Sequence, residues 1–213
     1  TTFRQLNTKT TGKKMSFDVT ALPGATFGGL LTAPINAADL IFLAEASPTS
    51  LPLLLNEFNG FLLIKGMDML EEKPELFLRL SQIFGKEVES YKETRMTPQN
   101  VHPEIPEILM VSNIPPADRK PPAQPNPPRN PDGSLPIQFP HRRGWHTDQS
   151  YRRPPPDISL FFCVVPAPKG QAQTLYANGI AAYEGLTSEM KTRINSLVGI
   201  HAKPGVGRGE VAV

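Results

Sequence analysis

One cysteine occurs in 213 residues, Cys163, so no internal disulfide can close; a reducing compartment is expected, with the cytoplasm as default. Neither charge is in excess. Lys and Arg number 22 against 20 Asp and Glu, a formal +2, which removes any global electrostatic case for nucleic acid or a membrane surface. No apolar run reaches the roughly 20 residues needed to cross a bilayer. The opening stretch TTFRQLNTKTTGKK lacks the apolar segment of a secretory signal. Residues 24–29 (GATFGG) are glycine-rich without the GxGxxG spacing, so they read as a turn region and not as a phosphate loop.

Hydrophobic residues make up 39% of the chain and charged ones 20%, enough apolar content for a sizeable core and one domain over 1–213. Residues 1–15 are polar and read as an arm or an edge strand. Asn36 is placed to cap a helix over 37–46 (AADLIFLAEA). Ser50 and Pro52 open a second helix, SLPLLLNEFNG, which Gly60 ends. Pro74 starts a third, PELFLRLSQIFG. Its Leu76, Phe77, Leu80, Ile83 and Phe84 share one face, and Gly85 closes it. Thr187 is placed to cap a fourth helix with Leu186, Met190, Ile194 and Leu197 on one side. Such faces are scaffold or, alternatively, a partner groove. Strands are expected at Phe61–Lys65, Ile108–Ser112, Ile158–Val165, Gln173–Ala177 and Gly199–His201. Ile158–Val165 (ISLFFCVV) is apolar throughout, so it reads as a central strand that buries Cys163 as an inert thiol. The expected fold is mainly β with flanking helices, with a barrel or jelly-roll core. Prolines number 24, and nine of them fall within residues 114–136, which cannot enter a sheet interior. That stretch is a surface insertion, a lid over a site, or an SH3-type ligand.

The chemistry gathers at Gly144-Trp145-His146-Thr147-Asp148. In extended backbone, residues i and i+2 point the same way, so the His146 imidazole and the Asp148 carboxylate converge. The two supply two of the three ligands of a 2-His-1-carboxylate Fe(II) site. On the tripeptide alone, a surface pair on a strand end is the competing reading.

From Gly144 to Ala202 the text resembles the TauD/TfdA family of Fe(II)- and 2-oxoglutarate-dependent dioxygenases. The matching text is GWHTDQSYRRPPPDISLFF, a proline-containing turn, and TLYANGIAAYEGLTSEMKTRINSLVGIHA. GATFGGLL, FNGFLLIKGM and the helix ending in IFG resemble the family's opening turn, early strand and helix. The resemblance implies a jelly-roll (double-stranded β-helix, cupin-like) core that is incomplete in this chain, with Fe(II), 2-oxoglutarate and O2 as cofactor and co-substrates. His146 and Asp148 match the first two iron ligands. Thr174 matches the threonine that hydrogen-bonds the far carboxylate of 2-oxoglutarate, although the family's preceding glycines are replaced by Lys169-Gly170-Gln171-Ala172-Gln173. Gln149 lies where some members contact substrate. A carboxylate at Asp148, where a halogenase keeps a small residue, implies hydroxylation over halogenation.

The family's third ligand, a downstream histidine, and the arginine after it are matched by nothing here. His201 falls on a strand position after the last helix, His102 and His141 precede the motif as loop histidines, and Arg208 sits in a glycine-rich tail. The expectation is that the rest of the same protein supplies the distal histidine and arginine. Arg142, Arg143, Arg152 and Arg153 bracket the motif. They either attract a small anionic substrate, through Arg142 and Arg152 above all, or are solvated or paired loop residues. The expected activity is hydroxylation of an unactivated C–H of a small molecule, with succinate and CO2 as co-products. A catalytically silent jelly-roll binding protein and a cupin isomerase or hydrolase are the alternatives. Neither nucleic acid nor membrane is an expected partner, and homo-oligomerisation is left open.

Overall fold

The computed structural model describes residues 18–32, 36–91, 101–111, 131–133, 145–152, 154–166 and 174–201. The chain divides into two compact units, Thr1–Val111 with Leu160–Thr187 and Ser112–Ser159 with Ser188–Val213.

The first unit is built on a three-stranded sheet in the order β1 (Asp18–Ala21), β2 (Gly29–Thr32), β3 (Leu62–Ile64). β1 and β2 pair antiparallel, with Val19 opposite Leu31, and β2 and β3 pair parallel, with Gly29 opposite Leu62. A parallel pair needs a crossover, because the chain must return to the same end before it can run alongside itself. Here the crossover carries α1 (Ala37–Ala46) and α2 (Ser50–Glu57). Helices α3 (Met69–Glu72) and α4 (Pro74–Gln82) follow β3, and α5 (Gly179–Glu184) closes the unit.

The glycines of the 24–29 turn are explained by what stands against them. Gly24 and Gly28 have φ of 74° and 98°, the left-handed region that glycine enters without steric cost. A Cβ on Gly29 would lie 2.7 Å from Phe58 Cγ and 2.8 Å from Leu62 Cδ2, so β2 can approach β3 and the end of α2 only without a side chain.

The helices follow local signals. The Asn36 side chain accepts a hydrogen bond from the Asp39 amide at 2.9 Å, satisfying one of the donors a helix start leaves open. Asn36→Ala is expected to cost about 1 kcal/mol, read as a lower urea midpoint with an unchanged slope. Pro74 occupies the first turn of α4, where its missing N–H costs nothing. Leu76 and Leu80 are buried, and Phe77, Ile83 and Phe84 pack partly buried against the same core, the five residues of the expected face. That core runs from Val19 and Leu31 through Leu40, Ile41 and Leu51 to Leu70 and Leu80. Arg79 ties α4 to α1 by donating to both carboxylate oxygens of Glu45, each 2.8 Å from Nη2. No single helix among the described residues is long and apolar enough to cross a membrane.

The strands depart further from expectation. β3 is shorter than Phe61–Lys65 and only partly buried. Residues 108–111 form no strand, only an isolated bridge between Val101 and Leu109. Ile158–Val165 is not a strand either. Leu160 and Phe162 pack against the core, with Phe162 6.2 Å from Phe77 between ring centroids, whereas Phe161 and Val165 are exposed at 70% and 83%. The covered and exposed side chains alternate only over Leu160–Cys163, Ile158 and Val164 being exposed as well; a strand exists only as part of a ladder, and no described segment pairs with this run. Cys163, on the outward side, is correspondingly exposed and not buried. Residues 174–177 and 199–201 are likewise outside any strand. The described residues therefore show a small sheet with flanking helices and do not show a jelly roll. The proline-rich 114–136 stretch lies outside them except for Pro131–Gly133, and so does the arm over residues 1–15.

In the second unit, α6 (Ser188–Asn195) begins directly after Thr187, as expected, and none of its residues is buried. Ser188 O accepts from the Thr192 hydroxyl and Ile194 O from the Leu197 amide. Ile194 is partly covered, while Leu197 is exposed.

Candidate metal centre

The WHTD motif is not in a strand. Trp145 to Thr147 are irregular, and Asp148 to Tyr151 form a turn closed by the Arg152 amide donating to Gln149 O at 2.9 Å. The expected convergence is present all the same, produced by a turn in place of a pleat. His146 Nε2 lies 3.0 Å from Asp148 Oδ1, with the two side chains 52% and 70% exposed.

That separation suits a metal as well as it suits a hydrogen bond. Two ligand atoms on neighbouring corners of an octahedron, each about 2.1 Å from its centre, stand about 3 Å apart. As a hydrogen bond, the contact takes an imidazole N–H as donor and a carboxylate oxygen as acceptor. A cation held between them would need the Nε2 lone pair, which a neutral imidazole offers when its proton sits on Nδ1. The donor set, one borderline nitrogen and one hard oxygen, is that of two-thirds of a facial triad. Among the described residues, no group of three His, Cys, Asp or Glu side chains could hold an ion.

Gln149, directly after the carboxylate, has φ of 51°. A non-glycine residue pays about 1–2 kcal/mol for this region, and such strain collects where surrounding contacts over-determine the backbone. One of those contacts reaches across the chain: Ser150 Oγ lies 2.8 Å from His201 Nδ1. The sequence assigned His201 only a strand position. Nothing in the local pattern could have paired it with a serine 51 residues away.

The remaining expected residues fall as follows. Thr174 belongs to the first unit and is exposed, and the turn before it lies outside the described residues. Arg152 is half-buried within the second unit, whereas Arg142, Arg143, Arg153 and His141 lie outside the described residues. His102, expected to be a loop histidine, is one: its Nδ1 accepts from the amides of Glu104 and Ile105 at 3.3 and 3.1 Å, so it braces a turn.

One imidazole and one carboxylate meeting on one turn make this a candidate mononuclear metal site. Comparison with known proteins then specifies it. The model of the taurine catabolism dioxygenase TauD, TfdA family matches residues 20–210, and the chain belongs to that family. It is similar to an alpha-ketoglutarate-dependent sulfonate dioxygenase of Saccharomyces cerevisiae, 29% identical over 168 residues, which is 79% of this chain and 36% of the relative. It is also similar to a pentalenolactone F synthase of Streptomyces arenae, 26% identical over 185 residues, 87% of this chain and 54% of the relative. The chain thus spans about a third to a half of the length of these relatives. No solved structure gives a significant match.

Proposed function

We propose that the protein is an Fe(II)- and 2-oxoglutarate-dependent dioxygenase that hydroxylates an unactivated C–H of a small anionic molecule, releasing succinate and CO2. The observation that carries the reading is the 3.0 Å pairing of His146 Nε2 with Asp148 Oδ1 inside the residues that match the family. Both named relatives support it, one by its dependence on alpha-ketoglutarate and its action on a sulfonate.

In this reading, His146 offers the lone pair of a neutral nitrogen and Asp148 an anionic oxygen, and the turn that carries them leaves the remaining positions open. Fe(II) bound there with 2-oxoglutarate supplies the O2 activation that organic side chains cannot. By its match to the family motif, Thr174 would donate its hydroxyl to the far carboxylate of 2-oxoglutarate. The distal histidine and the arginine that pairs with that carboxylate come from the rest of the same protein, within one jelly-roll domain. A planar guanidinium suits that arginine role, because it meets a carboxylate with two parallel N–H donors. The exposed, unpaired Cys163 is consistent with a reducing compartment such as the cytoplasm.

The test is an anaerobic visible difference spectrum of the full-length protein with Fe(II) and 2-oxoglutarate. A metal-to-ligand charge-transfer band supports the reading, and its absence removes it.

Substrate recognition makes a separate prediction. If the arginines flanking the motif draw in an anion, Arg152→Ala raises KM for an alkyl sulfonate about tenfold, the loss of one charge-assisted contact, and leaves the 2-oxoglutarate affinity as it was. Arg142→Ala behaves alike. Steady-state kinetics with each co-substrate varied in turn would check this, and unchanged sulfonate KM in both variants would remove the arginines from substrate binding.

A further inference from the structure

We propose that His201 is a positioning residue for the metal turn: through Ser150 it holds the backbone that aims the Asp148 carboxylate. The proposal rests on the reading of His146 and Asp148 as metal ligands.

Ser150 follows Asp148 by two positions and lies inside the turn closed by the Arg152 amide on Gln149 O. That turn contains a left-handed glutamine, a conformation that reverts unless something holds it. The closing amide bond is local and would move with the turn. The 2.8 Å contact between Ser150 Oγ and His201 Nδ1 is not local, because it fastens the turn to the segment that follows α6, within the same unit. Either tautomer can make it, since a hydroxyl both donates and accepts. The His201 ring has little room to spare: a Cβ placed on Gly199 would stand 3.3 Å from His201 Nε2, so a side chain at position 199 would crowd it. The link therefore runs from the His201 ring to the Ser150 hydroxyl, two residues beyond Asp148.

The bond is open to solvent, so water competes for it and its share of overall stability is small. Its effect falls on geometry. Groups that orient metal ligands typically change metal affinity by ten- to a hundredfold when removed. A merely structural contact would instead move the melting temperature and leave the metal alone.

The experiment is a Co(II) titration of the metal-free full-length protein in the presence of 2-oxoglutarate. It is followed by the visible ligand-field band and paired with thermal melting. Ser150→Ala and His201→Ala are each expected to weaken Co(II) about tenfold with little change in melting temperature. The double variant is expected to be no weaker than either single one, because both changes cut the same link. His201→Asn, whose amide can stand where Nδ1 stood, recovers most of the loss. Gly199→Ala leaves Ser150 and His201 in place and crowds the ring; it produces a smaller loss, and it keeps the test open should His201→Ala fail to fold. Wild-type affinity in the Ser150, His201 and Gly199 variants overturns the proposal. So do independent losses that multiply to about a hundredfold in the double variant. If the wild-type protein itself gives no band, the metal reading fails and the positioning role falls with it, an outcome told apart by the wild-type titration alone.

Discussion

Replacing His146 by alanine is expected to abolish the Fe(II)–2-oxoglutarate charge-transfer band and to lower turnover by at least about a thousandfold. The size follows from what the residue would contribute. A bound metal is worth several kcal/mol of barrier lowering, and about 4 kcal/mol corresponds to a thousandfold in rate. The His146 imidazole and the Asp148 carboxylate stand 3.0 Å apart, so each would hold one of two adjacent positions around an ion. Removing either leaves a site with one protein donor fewer and no neighbour among the described residues to replace it. Asp148→Asn should behave similarly, because an amide oxygen keeps the shape and loses the charge that balances a dication. His102→Ala is the control. That imidazole accepts from two backbone amides of its own turn, so its loss should leave the band intact. A band that survives His146→Ala would move the metal elsewhere and take the motif with it.

Leu40→Ala should lower stability by about 3 kcal/mol, within the range for a leucine truncated at a site that cannot collapse. Leu40 and Ile41 are both fully buried on α1, together with Ala37 and Ala44, so the helix is covered over a wide arc and not along a narrow stripe. Leu31 from β2 and Leu51 from α2 are fully buried in the same cluster, and a void there has little freedom to close. Two substitutions on the same helix should do much less. Phe42 is about half exposed, and its truncation removes little surface that folding had covered. Glu45→Ala breaks the two-oxygen pairing with Arg79, but both partners are nearly half exposed, which limits the loss to under about 1 kcal/mol. Urea unfolding followed by circular dichroism ranks the three. Equal effects at positions 40 and 42 would mean that α1 is not seated as described.

The contrast between those substitutions mirrors how much of the chain could be read in advance. The starts of α1 and α4 were legible because their signals are local: Asn36 caps the amide three residues on, Pro74 tolerates a missing N–H in the first turn, and Leu76, Phe77, Leu80, Ile83 and Phe84 share a face through the helix repeat. The short α3 and α5 were not foreseen, and neither were β1 and β2. The pairing of Gly29 with Leu62 depends on two segments separated by two helices meeting without a side chain between them. The run ISLFFCVV shows the limit most directly. Its composition is that of a central strand, yet Leu160 and Phe162 are covered and Phe161 is not. A second covered face requires a second layer, which composition cannot supply.

At the candidate site the division is similar. The sequence by itself determined the donor types, the two-residue spacing of His146 and Asp148, and the family to which the chain belongs. It also placed Thr174 and the flanking arginines as expectations. Only the tertiary structure decided that the donors meet on a turn and not on a strand, that Gln149 sits in a left-handed conformation, and that His201 reaches Ser150. The physical reason is common to all three. A cap, a helix repeat and a two-residue spacing act between neighbours and are written in neighbouring letters. Strand pairing and a hydrogen bond across 51 residues depend on where the folded chain brings distant segments together.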